Sequence, residues 1–178
     1  MVFQETRLPG AWIIDNTLIR DQRGFFAMTW LPGELASRGM NPAVAQCNLA
    51  FNHRRGTLRG MHFQTAPHAQ AKIIRATRGA LLDVIIDLRE HSPTYRQWEA
   101  VELSADNYRM LYVPEGLAHG YLTLEDNTEA YYQASSPWVP AAESGVRWND
   151  PAFAVAWPFA PAVISDKDAS WPLMPGSR

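Results

Sequence analysis

The stretch Ala80-Leu-Leu-Asp-Val-Ile-Ile-Asp-Leu88 is the clearest strand in the sequence. Because side chains alternate between the two faces of a strand, one face carries four apolar residues, Leu82, Val84, Ile86 and Leu88. The other face carries Leu81, Asp83, Ile85 and Asp87. Both faces are largely apolar, which predicts a strand covered on both sides, as in a double-layered barrel. A buried carboxylate is costly without a partner, so Asp83 is expected to have one.

Short apolar runs recur along the whole chain between its 13 prolines and 11 glycines. This spacing is typical of an all-β sandwich or barrel. The predicted strands are 11–14, 44–51, 57–64, 71–76, 80–88, 97–103, 109–113, 120–124 and 128–134. A helix is predicted over Leu31–Gly39, because a proline stands near its start and a glycine at its end. A helical turn near 104–107 is a second candidate, and the tail from Pro151 is expected to wrap the barrel as an irregular strap.

Length and composition limit the class of protein. The chain has 178 residues, of which 47% are hydrophobic and 19% charged, and this predicts one globular domain over 1–178. The net charge of −2 gives no basic excess and argues against a nucleic-acid partner. Cys47 is the one cysteine, which excludes an intrachain disulfide and a multi-cysteine metal site. No signal peptide or long apolar window is visible, so a cytoplasmic protein without a membrane partner is expected.

Arg59 and His62 lie in the strand-like segment Gly56-Thr-Leu-Arg-Gly-Met-His-Phe-Gln64. Strict alternation would place the two side chains on opposite faces of the strand. A bulge at Gly60 would bring them to the same face. An edge arginine and a core histidine are an equally good interpretation of this segment taken alone.

The segment Tyr112-Val-Pro-Glu-Gly-Leu-Ala-His-Gly120 contains the pattern Pro-x-Gly-x-x-His. It matches the second half-motif of cupin barrels, in which the histidine, here His119, is commonly a metal ligand. The first cupin half-motif requires His-x-His, whereas this chain has His62-Phe63-Gln64. The usual ligand set is therefore incomplete, and the pattern indicates a cupin-like barrel that works without metal.

Three further positions carry groups that could act in a site. Lys72 begins an apolar strand, where a lysine with its ammonium in solvent is the more common case. Tyr131 and Tyr132 are neighbours on one strand, so one of them should face the barrel interior, either as a core aromatic or as a functional phenol. Asp168 lies in the tail, where an acid is normally solvated, but it could reach back and orient a histidine.

Taken together, these segments resemble the dTDP-4-dehydrorhamnose 3,5-epimerase family of nucleotide-sugar epimerases. The matching motifs, in the family's order, are Asp21-Gln-Arg-Gly-Phe-Phe26, Gln46-Cys-Asn48, Leu58-Arg-Gly-Met-His-Phe-Gln64, Lys72, Asp83-Val-Ile-Ile-Asp-Leu88, the His119 segment, Tyr132, Gly145-Val-Arg-Trp-Asn-Asp-Pro151 and Ile164-Ser-Asp-Lys-Asp168. The resemblance implies a metal-free, cupin-like jelly roll with one or two short helices and no cofactor. It also implies a nucleotide-sugar substrate and a homodimer whose N-terminal strands cross to the partner.

The resemblance implies roles for individual residues. The catalytic set would be His62 as base, Asp168 orienting it, Tyr132 as acid and Lys72 at the enolate oxygen. The substrate-binding set would be Arg23, Phe26, Gln46, Asn48, Arg59, Asp83, His119 and Trp138. Within that set, Arg23 is expected to reach across the dimer, and Asp83 to be the partner of His119.

The implied reaction inverts C3 and C5 of a 4-keto-6-deoxyhexose attached to a nucleoside diphosphate, most simply dTDP. Inversion at a single carbon is one alternative. Another nucleotide, such as CDP or GDP, is a second, because Met28 stands where many family members have an acidic residue near the base. A sugar-binding or metal-dependent oxygenase cupin is a third. The missing His-x-His argues against an oxygenase, and the joint presence of His62, Lys72 and Tyr132 argues against a binding module.

Overall fold

The computed structural model describes residues 1–176. Its strands are β1 (Val2–Glu5), β2 (Trp12–Asp15), β3 (Ile19–Asp21), β4 (Gly24–Phe26), β5 (Gln46–Asn52), β6 (Thr57–Gln64), β7 (Lys72–Arg78), β8 (Ala80–Asp87), β9 (Trp98–Ser104), β10 (Met110–Val113), β11 (Leu117–Thr123), β12 (Thr128–Ala134), β13 (Glu143–Gly145) and β14 (Val163–Ile164). Two short helices, α1 (Pro32–Ala36) and α2 (Asp166–Ala169), and one 3-10 turn (Pro140–Ala142) complete the described chain.

The strands form two facing sheets and one separate hairpin. The first sheet has the order β1-β2-β10-β7-β12-β5, and the second has the order β13-β6-β11-β8-β9, with β14 added parallel to β6. Strands β3 and β4 pair only with each other. Apart from β14, every pairing is antiparallel, and strands distant in sequence lie side by side. The predicted all-β jelly-roll class is confirmed.

Both faces of β8 are covered, as its sequence predicts. Leu81 and Ile85 pack between the sheets against Ile74 of β7 and Leu111 of β10, and all four are fully buried. The opposite face, which includes Val84 and Ile86, packs against residues that follow β13 along the chain, among them Val146 and Phe153. Removing this apolar surface from water stabilises the fold by about 25 cal/mol per Å².

The irregular parts of the chain follow their predictions in part. Helix α1 is shorter than the predicted 31–39, and it begins at a proline whose fixed φ suits a first turn. The predicted helical turn near 104–107 is present as a single turn over 105–107, in which the N–H of Tyr108 donates to the carbonyl of Ser104 at 3.2 Å. The side chains of Ser104 and Asn107 also accept each other's backbone N–H groups there. The tail does wrap the second sheet, but it also contains β14 and α2, which were not predicted.

No helix within residues 1–176 is long and apolar enough to cross a membrane. The expected cytoplasmic location stays a prediction. A single domain over residues 1–178 also stays a prediction, and the last two of those residues lie outside the described part of the chain.

A bulge in β6 determines which side chains reach the space between the sheets. The register between β6 and β11 shifts by one residue at Gly60, which has a φ of +131°. A Cβ at this position would lie 2.5 Å from the Cα of Gly120, so both glycines are needed for the close approach of the two strands. The bulge brings Arg59 and His62 to the same cavity, as the sequence suggested.

Candidate active site

A cavity of about 380 Å³ opens at one end of the barrel, between the two sheets. Strands of both sheets contribute side chains to its walls. Its lining consists of Gln46, Asn48, Ala50, Arg59, His62, Phe63, Gln64, Gln70, Lys72, His119, Tyr121, Tyr132, Trp138, Glu143 and Lys167. Most of the residues singled out by the sequence therefore surround one space.

His62 is paired with a buried carboxylate. Its Nε2 atom lies 2.6 Å from Oδ1 of Asp168, and Oδ2 of the same carboxylate accepts the N–H of Gly60 at 3.1 Å. Burial alone would raise the pKa of Asp168, but His62, Gly60 and Lys167 together lower it. An ionised carboxylate accepts hydrogen bonds, so it fixes the His62 tautomer with its hydrogen on Nε2. That tautomer leaves Nδ1 able to accept a proton.

The tail brings Asp168 to this position. Strand β14 pairs in parallel with the start of β6, and Ser165 then caps α2 by accepting the N–H of Asp168 at 3.1 Å. The spacing Ser-x-x-Asp is a sequence signal for a helix start, and it could have predicted α2. The first turn of α2 therefore fixes the carboxylate behind β6.

A second buried pair joins β11 and β8, which follow β6 in the same sheet, and its histidine lies opposite His62. Oδ2 of the fully buried Asp83 lies 2.9 Å from Nε2 of His119, which supplies the partner that the sequence required. Burial raises the pKa of Asp83, and His119 and Lys72 partly offset this. Within residues 1–176, the other oxygen of Asp83 has no hydrogen-bond partner.

Lys72 carries its ammonium into the cavity from the first strand position of β7. Burial lowers its pKa to about 8, and the charges of Asp83 and Glu143 partly offset the effect. In the described part of the chain, no carboxylate lies within ion-pair distance of this ammonium. A cation that is poorly solvated and unpaired is suited to bind a negative charge that develops in the cavity.

Tyr132 faces the cavity and its neighbour Tyr131 faces outward. The ring of Tyr131 lies 5.1 Å from the guanidinium of Arg75 on the outer face of the first sheet. Burial raises the pKa of Tyr132, nearby Arg59 lowers it, and Glu143 raises it further. The net increase keeps the Tyr132 phenol protonated at neutral pH, so it can donate a proton.

Arg59, Asn48 and Trp138 present polar or aromatic groups toward the open side. Nε of Arg59 donates to Oδ1 of Asn52 at 2.8 Å, which fixes the direction of the guanidinium. The buried Nδ2 atom of Asn48 has no hydrogen-bond partner within residues 1–176. Trp138 is 55% exposed at the mouth, and Gln46 accepts its backbone N–H at 2.6 Å. These groups are available to a bound molecule.

Glu143 and Lys167 line the cavity and were not singled out by the sequence. Nζ of Lys167 lies 2.7 Å from Oε1 of Glu143, and Oε2 accepts the indole N–H of Trp138 at 3.4 Å. Burial would raise the pKa of Glu143, but Lys167 and His62 lower it overall. The only signal for Lys167 is that it neighbours Asp168. Glu143 lies opposite the end of β6, a relationship that only the sheet pairing reveals.

Arg23 and Phe26 do not reach the cavity of their own chain. Both lie in the β3–β4 hairpin, where Arg23 pairs with Asp21 at 2.5 Å and Phe26 is 64% exposed. Their predicted contact with a nucleotide therefore requires a second chain and stays a prediction. Among residues 1–176, no three His, Cys, Asp or Glu side chains are grouped closely enough to hold a metal ion.

Known proteins resemble this chain over almost its entire length. The family model for dTDP-4-dehydrorhamnose 3,5-epimerase matches residues 5–175. The dTDP-4-dehydrorhamnose 3,5-epimerase of Salmonella typhimurium is 37% identical over 176 residues, covering 98% of this chain and 96% of that protein. The Bacillus anthracis enzyme of the same name, solved with TDP and PPi bound, is 40% identical with a TM-score of 0.93, covering 97% of this chain and 99% of that one.

A relative with a narrower activity has the same fold. The 3'-monoepimerase of Streptomyces bikiniensis, solved in complex with dTDP-quinovose, is 35% identical with a TM-score of 0.88. The match covers 94% of this chain and 85% of that one. The fold, the order of the motifs and these similarities agree, and this chain belongs to the dTDP-4-dehydrorhamnose 3,5-epimerase family.

Proposed function

We propose that this protein is an isomerase that inverts C3 and C5 of dTDP-4-dehydro-6-deoxyglucose and forms dTDP-4-dehydrorhamnose. The observation that carries this proposal is the placement of a base and an acid on facing sheets. His62 enters the cavity from β6 in the second sheet, and Tyr132 enters from β12 in the first. Inversion at carbon needs a proton taken from one side and returned from the other.

The C4 carbonyl makes this chemistry feasible because both C3 and C5 are adjacent to it. Removing either C–H proton gives an enolate whose negative charge lies on O4. His62 takes the proton, and Asp168 stabilises the imidazolium that results. The Lys72 ammonium stabilises the enolate oxygen, and Tyr132 then donates a proton to the opposite face of the carbon. No atom is oxidised or reduced overall, so the proposed reaction needs no redox cofactor.

Each inversion leaves one extra proton on His62 and removes one from Tyr132. Both groups must return to their starting states before the second carbon reacts. The cavity is open on one side, so water can exchange these protons between the two steps. The same exchange would introduce solvent hydrogen at every carbon that is inverted.

The polar groups near the mouth suit the nucleoside diphosphate. Arg59 supplies a cation for the diphosphate, and the unpartnered amide of Asn48 can donate to a polar group of the substrate. Trp138 supplies an exposed indole beside which a nucleobase can stack. The TDP and PPi bound by the Bacillus anthracis relative support a nucleotide in this chain as well.

We infer a homodimer from apolar side chains that a monomer would leave in water. Every residue of the β3–β4 hairpin is exposed, including Ile19 at 58% and Phe26 at 64%. Leu49 of the edge strand β5 is 63% exposed. Contiguous exposed apolar surface marks interaction sites. A hairpin that crosses to a second copy would bring Arg23 and Phe26 to the partner's cavity.

A complementation experiment tests this arrangement. His62→Ala and Arg23→Ala are each expected to be nearly inactive alone. If the subunits are mixed and exchanged, half of the dimers are mixed, and each mixed dimer has one site with both native residues. About a quarter of the wild-type activity should then return. No recovery, together with a monomer mass in light scattering, would contradict the dimer.

The reaction itself is tested by isotope incorporation. The enzyme is incubated with dTDP-4-dehydro-6-deoxyglucose in deuterium oxide, and the label is located by NMR. Label at C3 and C5 with inversion supports the proposal. Label at one carbon supports the alternative of a monoepimerase, an activity that the Streptomyces bikiniensis relative has. No label would leave the sugar-binding or oxygenase alternatives. The same assay with CDP and GDP sugars measures nucleotide preference.

A further inference from the structure

Gln64 is a cavity residue whose side chain forms three hydrogen bonds, all of them to the backbone. It is the last residue of β6 and is buried. Its Nε2 atom donates to the carbonyl of His68 at 2.6 Å and to that of Pro137 at 3.1 Å. Its Oε1 atom accepts the N–H of Val139 at 2.7 Å. Both N–H donors of the amide are therefore used by the backbone, and its oxygen accepts one backbone hydrogen bond.

Two of these bonds bracket Trp138. Gln64 binds the carbonyl of the residue before Trp138 and the N–H of the residue after it, as a neighbouring strand would do. The N–H of Trp138 itself goes to Oε1 of Gln46 at 2.6 Å. The backbone on either side of the indole is therefore held from β6 and from β5, which belong to different sheets.

The rest of this segment is also held by short bonds to the chain between β6 and β7. Nε2 of Gln70 donates to the carbonyl of Ser136 at 2.6 Å, and Oγ of Ser136 donates to the carbonyl of Ala69 at 2.8 Å. Gln64 is the one side chain among these that binds both segments, through His68 on one side and through Pro137 and Val139 on the other. It therefore fixes the distance between them.

We propose that Gln64 is a positioning residue that holds Trp138 at the mouth of the cavity and thereby sets the affinity for the nucleoside diphosphate part of the substrate. This inference rests on the proposed function, because it requires the indole to contact a nucleotide. The side-chain hydrogen bonds of Gln64 all go to the backbone, so we expect its effect on the nucleotide to pass through Trp138. The proton-transfer groups are held by other contacts, Asp168 in the case of His62.

The chemistry of the position requires a primary amide. Only a group with both N–H donors and a carbonyl acceptor can satisfy two backbone carbonyls and one backbone N–H at once. A glutamate would keep the acceptor but would place a carboxylate against two carbonyl oxygens. A methionine would keep the approximate volume and lose all three bonds. Each change leaves buried backbone groups unsatisfied, which favours displacement of the Trp138 segment.

The test measures dTDP affinity by calorimetry together with the kcat and KM of the epimerisation. Gln64→Glu is expected to raise the Kd for dTDP and the KM for the sugar nucleotide about tenfold, with kcat changed less than about twofold. Gln64→Met is expected to raise Kd and KM in the same way, with kcat little changed, and it introduces no new charge. This variant tests the proposal if the glutamate variant does not fold. Gln97→Glu, an exposed position outside the cavity, is the control for charge and should change neither constant.

A double-mutant cycle shows whether the effect passes through the indole. In a Trp138→Ala background, Gln64→Glu should weaken dTDP binding by less than about twofold further. An undiminished tenfold loss in that background would overturn the inference, and so would a fall in kcat at constant KM. If the wild-type protein itself binds no dTDP, the proposed function fails, and this inference fails with it. A third outcome is that wild type binds dTDP, while the losses of affinity caused by Gln64→Glu and Trp138→Ala simply add. This outcome would overturn the role of Gln64 and leave the proposed function intact.

Discussion

Nε2 of His62 lies 2.6 Å from Oδ1 of Asp168, although 106 residues separate the two in the chain. The carboxylate is almost fully buried, and the imidazole is partly open to the cavity. This combination leaves the histidine accessible to a substrate while its partner is shielded from water. A shielded negative charge stabilises a protonated imidazole more strongly than a solvated one. The pair therefore has the properties of a base that must hold a proton during turnover.

Replacing either member of this pair should reduce turnover to different extents. His62→Ala removes the base and is expected to lower kcat by about 10²–10⁴-fold, without loss of the folded state. Asp168→Asn keeps the shape but not the charge, so a smaller loss is expected. The rate of deuterium exchange at C3 and C5 measures the loss in each of the two variants. The control is His91→Ala, which replaces an exposed histidine. Near-normal exchange in His62→Ala would remove this residue from the role of base.

Tyr132→Phe should separate proton removal from inversion. Without the phenol, the enolate can be reprotonated only from the side of His62 or by water, so label enters with retention while the yield of inverted sugar falls steeply. Phenylalanine keeps the ring volume, and a purely packing role would survive the change. Tyr131→Phe is the matched control, because that ring faces outward against Arg75. Normal inversion by Tyr132→Phe together with an inactive Tyr131→Phe would reassign the acid to the neighbouring residue.

The pH dependence of kcat/KM should reflect the protonation state of Lys72. Burial lowers its pKa to about 8, so the ammonium is present below that pH and is lost as the pH rises through it. A neutral amine stabilises an enolate poorly, and kcat/KM should therefore fall about tenfold per pH unit above about 8. The Lys72→Arg variant keeps its positive charge across this pH range. It is expected to react more slowly than wild type, and its kcat/KM should not fall as the pH rises above about 8. A limb that persists near pH 8 in the arginine variant would assign it to another group.

Removal of metal ions should leave the epimerase active. The first cupin half-motif supplies His62 and Gln64, and Gln64 is occupied by backbone hydrogen bonds. Dialysis against a strong chelator is expected to change kcat by less than about twofold, with metal content followed by atomic emission. Activity that is lost on chelation and restored by Zn²⁺, Fe²⁺ or Mn²⁺ would contradict a metal-free mechanism.

Asp87 should contribute to stability in a pH-dependent way. Burial alone would raise its pKa, but donors from Arg89, Ser92 and Thr94 lower it to about 2. Its stabilisation is thus complete above the unfolded pKa of about 4 and is lost as the pH falls toward 2. Asp87→Asn should lower the free energy of unfolding by about 2 kcal/mol at pH 7.

Urea unfolding of wild type and Asp87→Asn between pH 2 and 7 checks this prediction. The difference between the two proteins should shrink as the pH falls below about 4. Asp106→Asn, at an exposed aspartate, should show no such difference. A constant difference across the pH range would show that the ion pair does not account for the loss.

The regular part of the fold could be predicted because its pattern is local. The alternation in β8 and the apolar runs of β6, β7 and β12 lie close to their predicted ranges. The short hairpin β3–β4 was not predicted, since its residues are exposed and bury no face that a pattern could reveal. Two-residue β14 depends entirely on its pairing with β6. Elements decided by distant contacts leave little trace in the local sequence.

The residues of the site also fall into two groups, those that the sequence predicts and those that only the folded structure reveals. Segments carrying His62 and His119 have motifs that point to a site, whereas Lys72 is assigned to it only by the family resemblance. The structure brings all three side chains to one cavity. Glu143 lies in no such motif and reaches the cavity through the pairing of β13 with β6. Lys167 lies in a quoted motif only as the neighbour of Asp168, and the docking of the tail places it beside Glu143. The backbone-binding role of Gln64 was equally hidden, because the sequence showed only that it is not a histidine.

The pairing of β14 with β6 also affects the order of events during synthesis. The strands that line the cavity end with β13 at residue 145, and the carboxylate that orients His62 follows in α2, more than 20 residues later. Because the chain is made from its N-terminal end, Asp168 becomes available to His62 only after the strands of the cavity have been made. A nascent chain can collapse into a barrel earlier than this, because most of its strand pairs are already present. The pair of His62 and Asp168 then forms as a separate, late event, after the barrel has taken its shape.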